Sequence, residues 1–208
     1  MELVNPRRPV WLLVVAACAV SRGELVDIRR LDPSIRVEMP YATSANFTGV
    51  RLYPVERCLL RRAVAERLVR VQRRLREDGL GLLLWDCYRP FAVQQRLWGL
   101  VPDARYVARP VVSGGRRIAG SKHNRGAAVD ATLVDAAGRP LEMPSGFDDF
   151  SARAARNSAE ASPTARRNVR RLEAAMVAEG FAPLPTEWWH FDAPGWQRYE
   201  LLNEPLAR

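Results

Sequence analysis

Two histidines are all that this 208-residue chain contains, and both stand in stretches dense with other reactive side chains. His123 lies in Ser121-Lys122-His123-Asn124-Arg125-Gly126-Ala127-Ala128-Val129-Asp130, an H-x6-D pattern that runs from a loop through a glycine into residues alternating as a strand does. His190 closes Glu187-Trp188-Trp189-His190, at the end of a second strand-like stretch. The two motifs are far apart in sequence, yet each offers one imidazole and one carboxylate in a setting suited to strands of one sheet.

Catalytic zinc usually takes three protein ligands and keeps a fourth position for water, and two imidazoles with one carboxylate are a common set. His123, Asp130 and His190 supply that set, for one zinc ion per chain. Metal alone does not cleave an amide, because the attacking water must lose a proton and the leaving amine must gain one. Glu187 suits that general acid/base role if it stands beside the metal without binding it. On a regular strand, residues three apart face opposite sides, so Glu187 and His190 cannot both address one metal. A loop-to-strand junction or a bulge is therefore expected at Glu187-Trp188.

Attack on an amide carbonyl builds negative charge on its oxygen, and a fixed cation aimed there is often the largest catalytic contribution. Arg89 is the candidate: it follows the apolar run Leu80 to Trp85, read as a buried strand, and is braced by Tyr88 and Pro90. The competing reading of Arg89 is an ion-pair partner of Asp86.

Elsewhere the chain reads as alternating helices and strands. Leu25 to Val37 suggests a leading strand or extended arm, and Cys58 to Asp78 an amphipathic helix through Leu60, Val64, Leu68, Val71 and Leu75, closed at Gly79. Phe91 to Leu100 reads as a helix with Gln94, Gln95 and Arg96 on its wet side, and Pro102 to Gly115 as a looser region. Residues Pro140 to Pro163 are loop-like. Ser162-Pro163 then starts a second long helix, with Val169, Leu172, Met176 and Val177 as its apolar stripe and Gly180 as its stop. The last strand is read at Thr186 to Phe191.

A net charge of +9 raises the question of a nucleic-acid or anionic-membrane partner. The basic residues are dispersed along helices with Glu66, Glu77, Asp78 and Glu173 between them, and no basic run exceeds a pair. That pattern describes a solvated surface, with steering of an acidic substrate or partner as the alternative; no nucleic-acid partner and no obligate protein partner are expected.

Arg7 and Arg8 precede an apolar run from Val10 to Val20 that is too short to span a bilayer, which takes about 20 residues. Residues 1–23 read as an export signal, and 24–208 as a single catalytic domain. Ala19 and Ser21 offer a small-x-small cleavage site; Val15-Ala16-Ala17-Cys18 loosely matches a lipoprotein processing box that would leave Cys18 acylated, the one membrane attachment foreseen. The expected location is exported and periplasmic. That leaves Cys58 and Cys87, an even pair in an oxidising compartment, either bridged or two buried thiols.

Five motifs in order carry a resemblance over about residues 27 to 191: Tyr41-Ala42-Thr43 with Asn46-Phe47-Thr48-Gly49; Trp85-Asp86-Cys87-Tyr88-Arg89-Pro90; Ser121-x-His123-x-x-Gly126-x-Ala128-x-Asp130; Phe147-Asp148; and Glu187-Trp188-Trp189-His190. Together they resemble the VanX-type D-alanyl-D-alanine dipeptidases. The resemblance implies an α+β fold of the hedgehog/DD-peptidase type: a central, mainly antiparallel sheet flanked by helices, a zinc site on the sheet, and a small closed pocket for a free D-Ala-D-Ala dipeptide. It also implies that His123, Asp130 and His190 are the zinc ligands, Glu187 the base and Arg89 the transition-state stabiliser. Ser121, Tyr41 and Asp148 match positions around the dipeptide's charged ends, Asp148 suiting the ammonium. Cys87 stands where the family commonly has glycine, Pro144 precedes Asp148, and the export segment fits periplasmic wall recycling better than glycopeptide resistance. The rivals are a D,D-carboxypeptidase acting on longer stem peptides, which needs an open groove, and a non-catalytic zinc or wall-binding module, which would have no use for Glu187 and Arg89.

Overall fold

A computed structural model describes residues 24–207; the export and lipidation readings for residues 1–23 lie outside the described residues. The centre is a five-stranded sheet. Its strands are β2 (Arg36–Val37), β4 (Gly81–Asp86), β7 (Ala128–Val134), β9 (Glu187–Asp192) and β8 (Ala182–Leu184), in that spatial order. Only the β2–β4 pair is parallel, so the sheet is mainly antiparallel, as the resemblance implies. Two small antiparallel pairs lie outside it: β1 (Leu25–Asp27) with β3 (Leu59–Arg61), and β5 (Val111–Ser113) with β6 (Arg116–Ala119). The helices are α1 (Ile28–Leu31), α2 (Arg62–Glu77), α3 (Phe91–Leu100) and α4 (Pro163–Ala178).

Strand β7 is buried at every position, as a central strand covered on both faces must be. Its alternation assigns the faces. Val129, Ala131 and Leu133 enter the main apolar core, together with Val64, Leu68 and Val71 of α2 and Val169, Leu172 and Met176 of α4. Asp130 therefore points to the opposite face of the sheet. Ser162 caps α4 by accepting a hydrogen bond from the Ala165 amide at 3.0 Å, and Pro163 occupies the first turn, as the sequence predicts.

Several boundaries differ from the sequence reading, each for a local reason. The Leu25–Val37 stretch is broken by the single turn α1, because the Asp27 carboxylate accepts from the Arg29 amide and starts a helix there. The helix expected from Cys58 begins at Arg62, since Leu59–Arg61 is held in the pair with β1. Gln94 is not on a wet face but wholly buried, and Val177 is 48% exposed rather than part of the stripe, where Ala165 and Ala175 stand instead. Strands β5, β6 and β8, of three or four residues each, have no periodicity long enough to read.

Cys58 and Cys87 are joined by a disulfide across a sequence separation of 29, and both are buried. A cross-link closing a loop of that size stabilises a fold by roughly 3 to 4 kcal/mol, on the account in which it restricts the unfolded chain. It ties the end of β4 to the segment entering β3, directly beneath the site.

Candidate metal centre and its cavity

Register builds the site. Asp130 on β7 lies opposite His190 on β9 and, on its other side, opposite Asp86 on β4, so the three form one row across neighbouring strands. The β4–β7 register slips at Trp85, which puts Asp86 rather than Trp85 in that row. His123 arrives from outside the sheet, in a short 3₁₀ turn over Lys122–Arg125 just before β7.

That turn is locally determined. The Ser121 hydroxyl accepts from the His123 amide at 3.2 Å, and the Asn124 side chain accepts from the Ser121 amide at 2.8 Å, a reciprocal cap. Gly126 ends it with φ +64, a left-handed backbone that favours glycine. The buried Asn124 also donates to the Arg89 carbonyl at 2.8 Å, and the Arg89 amide donates to the His123 carbonyl at 3.1 Å. The metal-side histidine and the candidate arginine are thereby fixed to each other through backbone.

The ligand atoms of His123, Asp130 and His190 all lie within 4.8 Å of one another. His190 Nδ1 is 2.9 Å from Asp130 Oδ1 and 3.3 Å from His123 Nε2, and His123 Nε2 is 3.5 Å from the same carboxylate oxygen. The outer ring nitrogens are already engaged: His123 Nδ1 is 2.7 Å from the Cys87 carbonyl oxygen, and His190 Nε2 is 3.0 Å from Asp192 Oδ1. Each outer N–H donates to an oxygen, which turns the other nitrogen of each ring inward with its lone pair. Asp192 is in turn held by Lys122 at 2.6 Å.

Three acceptors converging on one point require positive charge between them. Burial would lower the pKa of His190, but its bonds to Asp130 and Asp192 outweigh this and raise it to about 10. Burial likewise would raise the Asp130 carboxyl, and the two imidazoles hold it below its usual range. A divalent cation fits the same point, with donors of the right kind and number and with both rings oriented by outer partners.

Glu187 is the first residue of β9 and sits beyond the β7–β9 ladder, which ends at His190. Against β8 the register jumps, Leu184 pairing with Glu187 but Pro183 with Phe191, so Trp188, Trp189 and His190 have no partner on β8. This is the junction-plus-bulge that the three-residue spacing demands, and it lets Glu187 and His190 line the same cavity. Burial pushes the Glu187 carboxyl up, Asp130 adds to this, and His190, His123 and Arg89 pull it back.

Arg89 is buried and pairs with Asp86, at 3.2 Å from Nε and 2.5 Å from Nη2, while Nη1 donates to the Gln94 side chain at 2.9 Å. Asp86 is completed by Tyr53, whose hydroxyl donates at 2.6 Å. Burial pulls the guanidinium pKa down, but Asp86 outweighs it and holds the pKa well above its usual value, so Arg89 stays a cation. The ion-pair reading and the catalytic reading of Arg89 are thus compatible, because the pair occupies one edge of the guanidinium and leaves it on the cavity wall.

Tyr41 donates to Asp148 at 2.9 Å, and burial raises the Asp148 carboxyl well above its usual range, with Asp130 adding to the effect. Asp148 is the one non-glycine residue with positive φ, +56, among the described residues. Such backbone is uncommon outside glycine and asparagine-like residues and is often found where a side chain must be aimed. All eight metal, catalytic and substrate residues named from the sequence, Ser121 included, line one cavity of about 240 Å³. The sequence reading missed Gln94, Asn124 and Asp192, and also Arg105 and Tyr106, which close one side of the cavity.

Charge, donors and shape place the chain among metal-dependent peptidases. It belongs to the D-Ala-D-Ala dipeptidase family of metallopeptidases: the family model for peptidase M15, described as D-ala-D-ala dipeptidase, matches residues 21–205. It is 37% identical over 184 residues to the D-alanyl-D-alanine dipeptidase of Escherichia coli, covering 88% of this chain and 92% of that one. It is also 37% identical over 197 residues to the protein of that name from Streptomyces coelicolor, covering 88% and 94%. With the Enterococcus faecium protein of that name the identity is 32% over 185 residues, covering 82% and 88%.

Proposed function

We propose that the chain hydrolyses free D-Ala-D-Ala with one zinc ion held by His123, Asp130 and His190, and that it acts in cell-wall dipeptide turnover outside the cytoplasm. The observation that carries the reading is the small polar cavity of about 240 Å³ with all eight candidate residues on its wall. That volume is below the roughly 300 Å³ at which pockets for drug-sized ligands begin. The Tyr41–Gly49 and Met143–Phe150 loops both contribute to the wall, through Tyr41 and Phe47 and through Asp148 and Phe150, which disfavours a groove for long stem peptides.

Zinc at that position supplies a Lewis acid and a water of lowered pKa. Glu187 takes the proton from the attacking water and passes it to the leaving nitrogen. The oxygen of that water joins the carbonyl carbon, the C–N bond breaks, and the products are two D-alanines. The guanidinium of Arg89 faces the carbonyl oxygen as it becomes negative, held in place by Asp86 and Gln94. Asp148 with Tyr41 receives the substrate ammonium, whose charge brings the raised Asp148 carboxyl back to its ionised form. Ser121 offers a hydroxyl to a charged end of the peptide.

The Cys58–Cys87 disulfide supports an oxidising compartment, and with it residues 1–23 as an export signal, with Cys18 as a candidate lipid anchor. A comparison of kcat/KM for D-Ala-D-Ala and for a stem pentapeptide tests the substrate. Preference for the dipeptide, abolished by a chelator and restored by zinc, is the expected result; preference for the pentapeptide would transfer the chain to the carboxypeptidases.

A further inference from the structure

Next to the catalytic cavity lies a second, partly open one of about 290 Å³, and four residues, Arg105, Tyr106, Phe150 and Glu187, line both. Two of the four are rings stacked on each other: the Tyr106 and Phe150 centroids are 4.5 Å apart with planes at 29°. Each ring is supported from a different loop. Phe47 meets Phe150 edge-on at 4.9 Å, and the Arg105 guanidinium lies 5.0 Å from the Tyr106 centroid. The Tyr106 loop is anchored by the buried Val107 and by Gln94, which donates to the Ala108 carbonyl at 2.7 Å.

We infer that the Tyr106–Phe150 ring pair sets the length of peptide the site accepts, and that the cavity behind it is a subsite for one further small residue on the amino end of the substrate. The inference rests on the dipeptidase reading above. The amino end is the relevant one because Asp148, the ammonium partner in that reading, stands two residues before Phe150 in a turn of positive φ, while the next residue, Asp149, lines the second cavity. The second cavity is walled by Ala152, Ala154 and Ala155, which suits a methyl side chain better than a long or charged one. The barrier is made of side chains, so shortening a ring joins the two spaces without altering the strands that carry the metal cluster.

The test compares the zinc-loaded wild-type chain with Tyr106→Ala, Phe150→Ala and Phe150→Leu on D-Ala-D-Ala and on the tripeptide carrying one alanine on its amino end. Opening the barrier is expected to raise kcat/KM for the tripeptide by about tenfold or more relative to that for the dipeptide, the scale on which a pocket discriminates small groups. Phe150→Leu keeps an apolar side chain and should give a smaller gain; it covers the case in which an alanine variant fails to fold. Adding Ala155→Leu to Tyr106→Ala should refill the second cavity and cancel the gain. Variants that retain dipeptide activity with no tripeptide gain would overturn the inference, as would a gain that survives Ala155→Leu. A wild-type chain that already prefers the longer peptide would instead refute the dipeptidase reading itself.

Discussion

Replacing Glu187 with glutamine is expected to lower kcat by roughly 10² to 10⁴-fold, the range that a positioned general acid/base contributes, while zinc binds with unchanged stoichiometry. The substitution keeps the shape and one hydrogen-bonding oxygen but cannot accept the proton of the attacking water. Glu187 belongs to the cavity and not to the ligand cluster, which consists of His123, Asp130 and His190. Steady-state kinetics with metal analysis of the same sample separates the two roles. Loss of metal together with activity would make Glu187 a ligand, and full activity would remove it from the mechanism.

Arg89→Ala is expected to cost about 10² to 10³-fold in kcat, as loss of a preorganised donor to a developing oxyanion does. Arg89→Lys should recover little of this. Arg89 meets Asp86 through Nε and Nη2 and Gln94 through Nη1, and a lysine has one nitrogen for all three contacts. The alanine variant also leaves Asp86 as a buried charge without its cation, a defect that typically costs about 3 to 5 kcal/mol, so thermal unfolding must accompany the kinetics. Lysine keeps the charge, and a folded Arg89→Lys chain with wild-type kcat would show that the guanidinium serves Asp86 alone.

The chemistry-bearing residues were legible because they are rare or densely grouped. Two histidines in a whole chain, each near an acid, leave few ways to build a metal set, and the impossibility of aiming Glu187 and His190 from a regular strand led to the bulge that β8 and β9 show. The residues that orient this set were not legible. Gln94 sits among polar neighbours on α3 and looks solvated; only its partners, Arg89 and the Ala108 carbonyl, explain its burial. Asp192 looks like the end of a strand until its bonds to His190 and Lys122 are seen. Tyr106 lies in a stretch without periodicity, and its position opposite Phe150 depends on tertiary contacts alone. Long amphipathic helices and the apolar central strands follow from local pattern, whereas three-residue strands such as β8 exist because a neighbour offers them a ladder.

The account depends on a single cation gripped by His123, Asp130 and His190. Titrating the demetallated chain with zinc, alongside His123→Ala, Asp130→Ala and His190→Ala, measures this directly. One equivalent bound tightly by the wild-type chain, with affinity lost in each variant, is the expected result; undiminished binding in any of the three, or no binding by the wild-type chain, would contradict it.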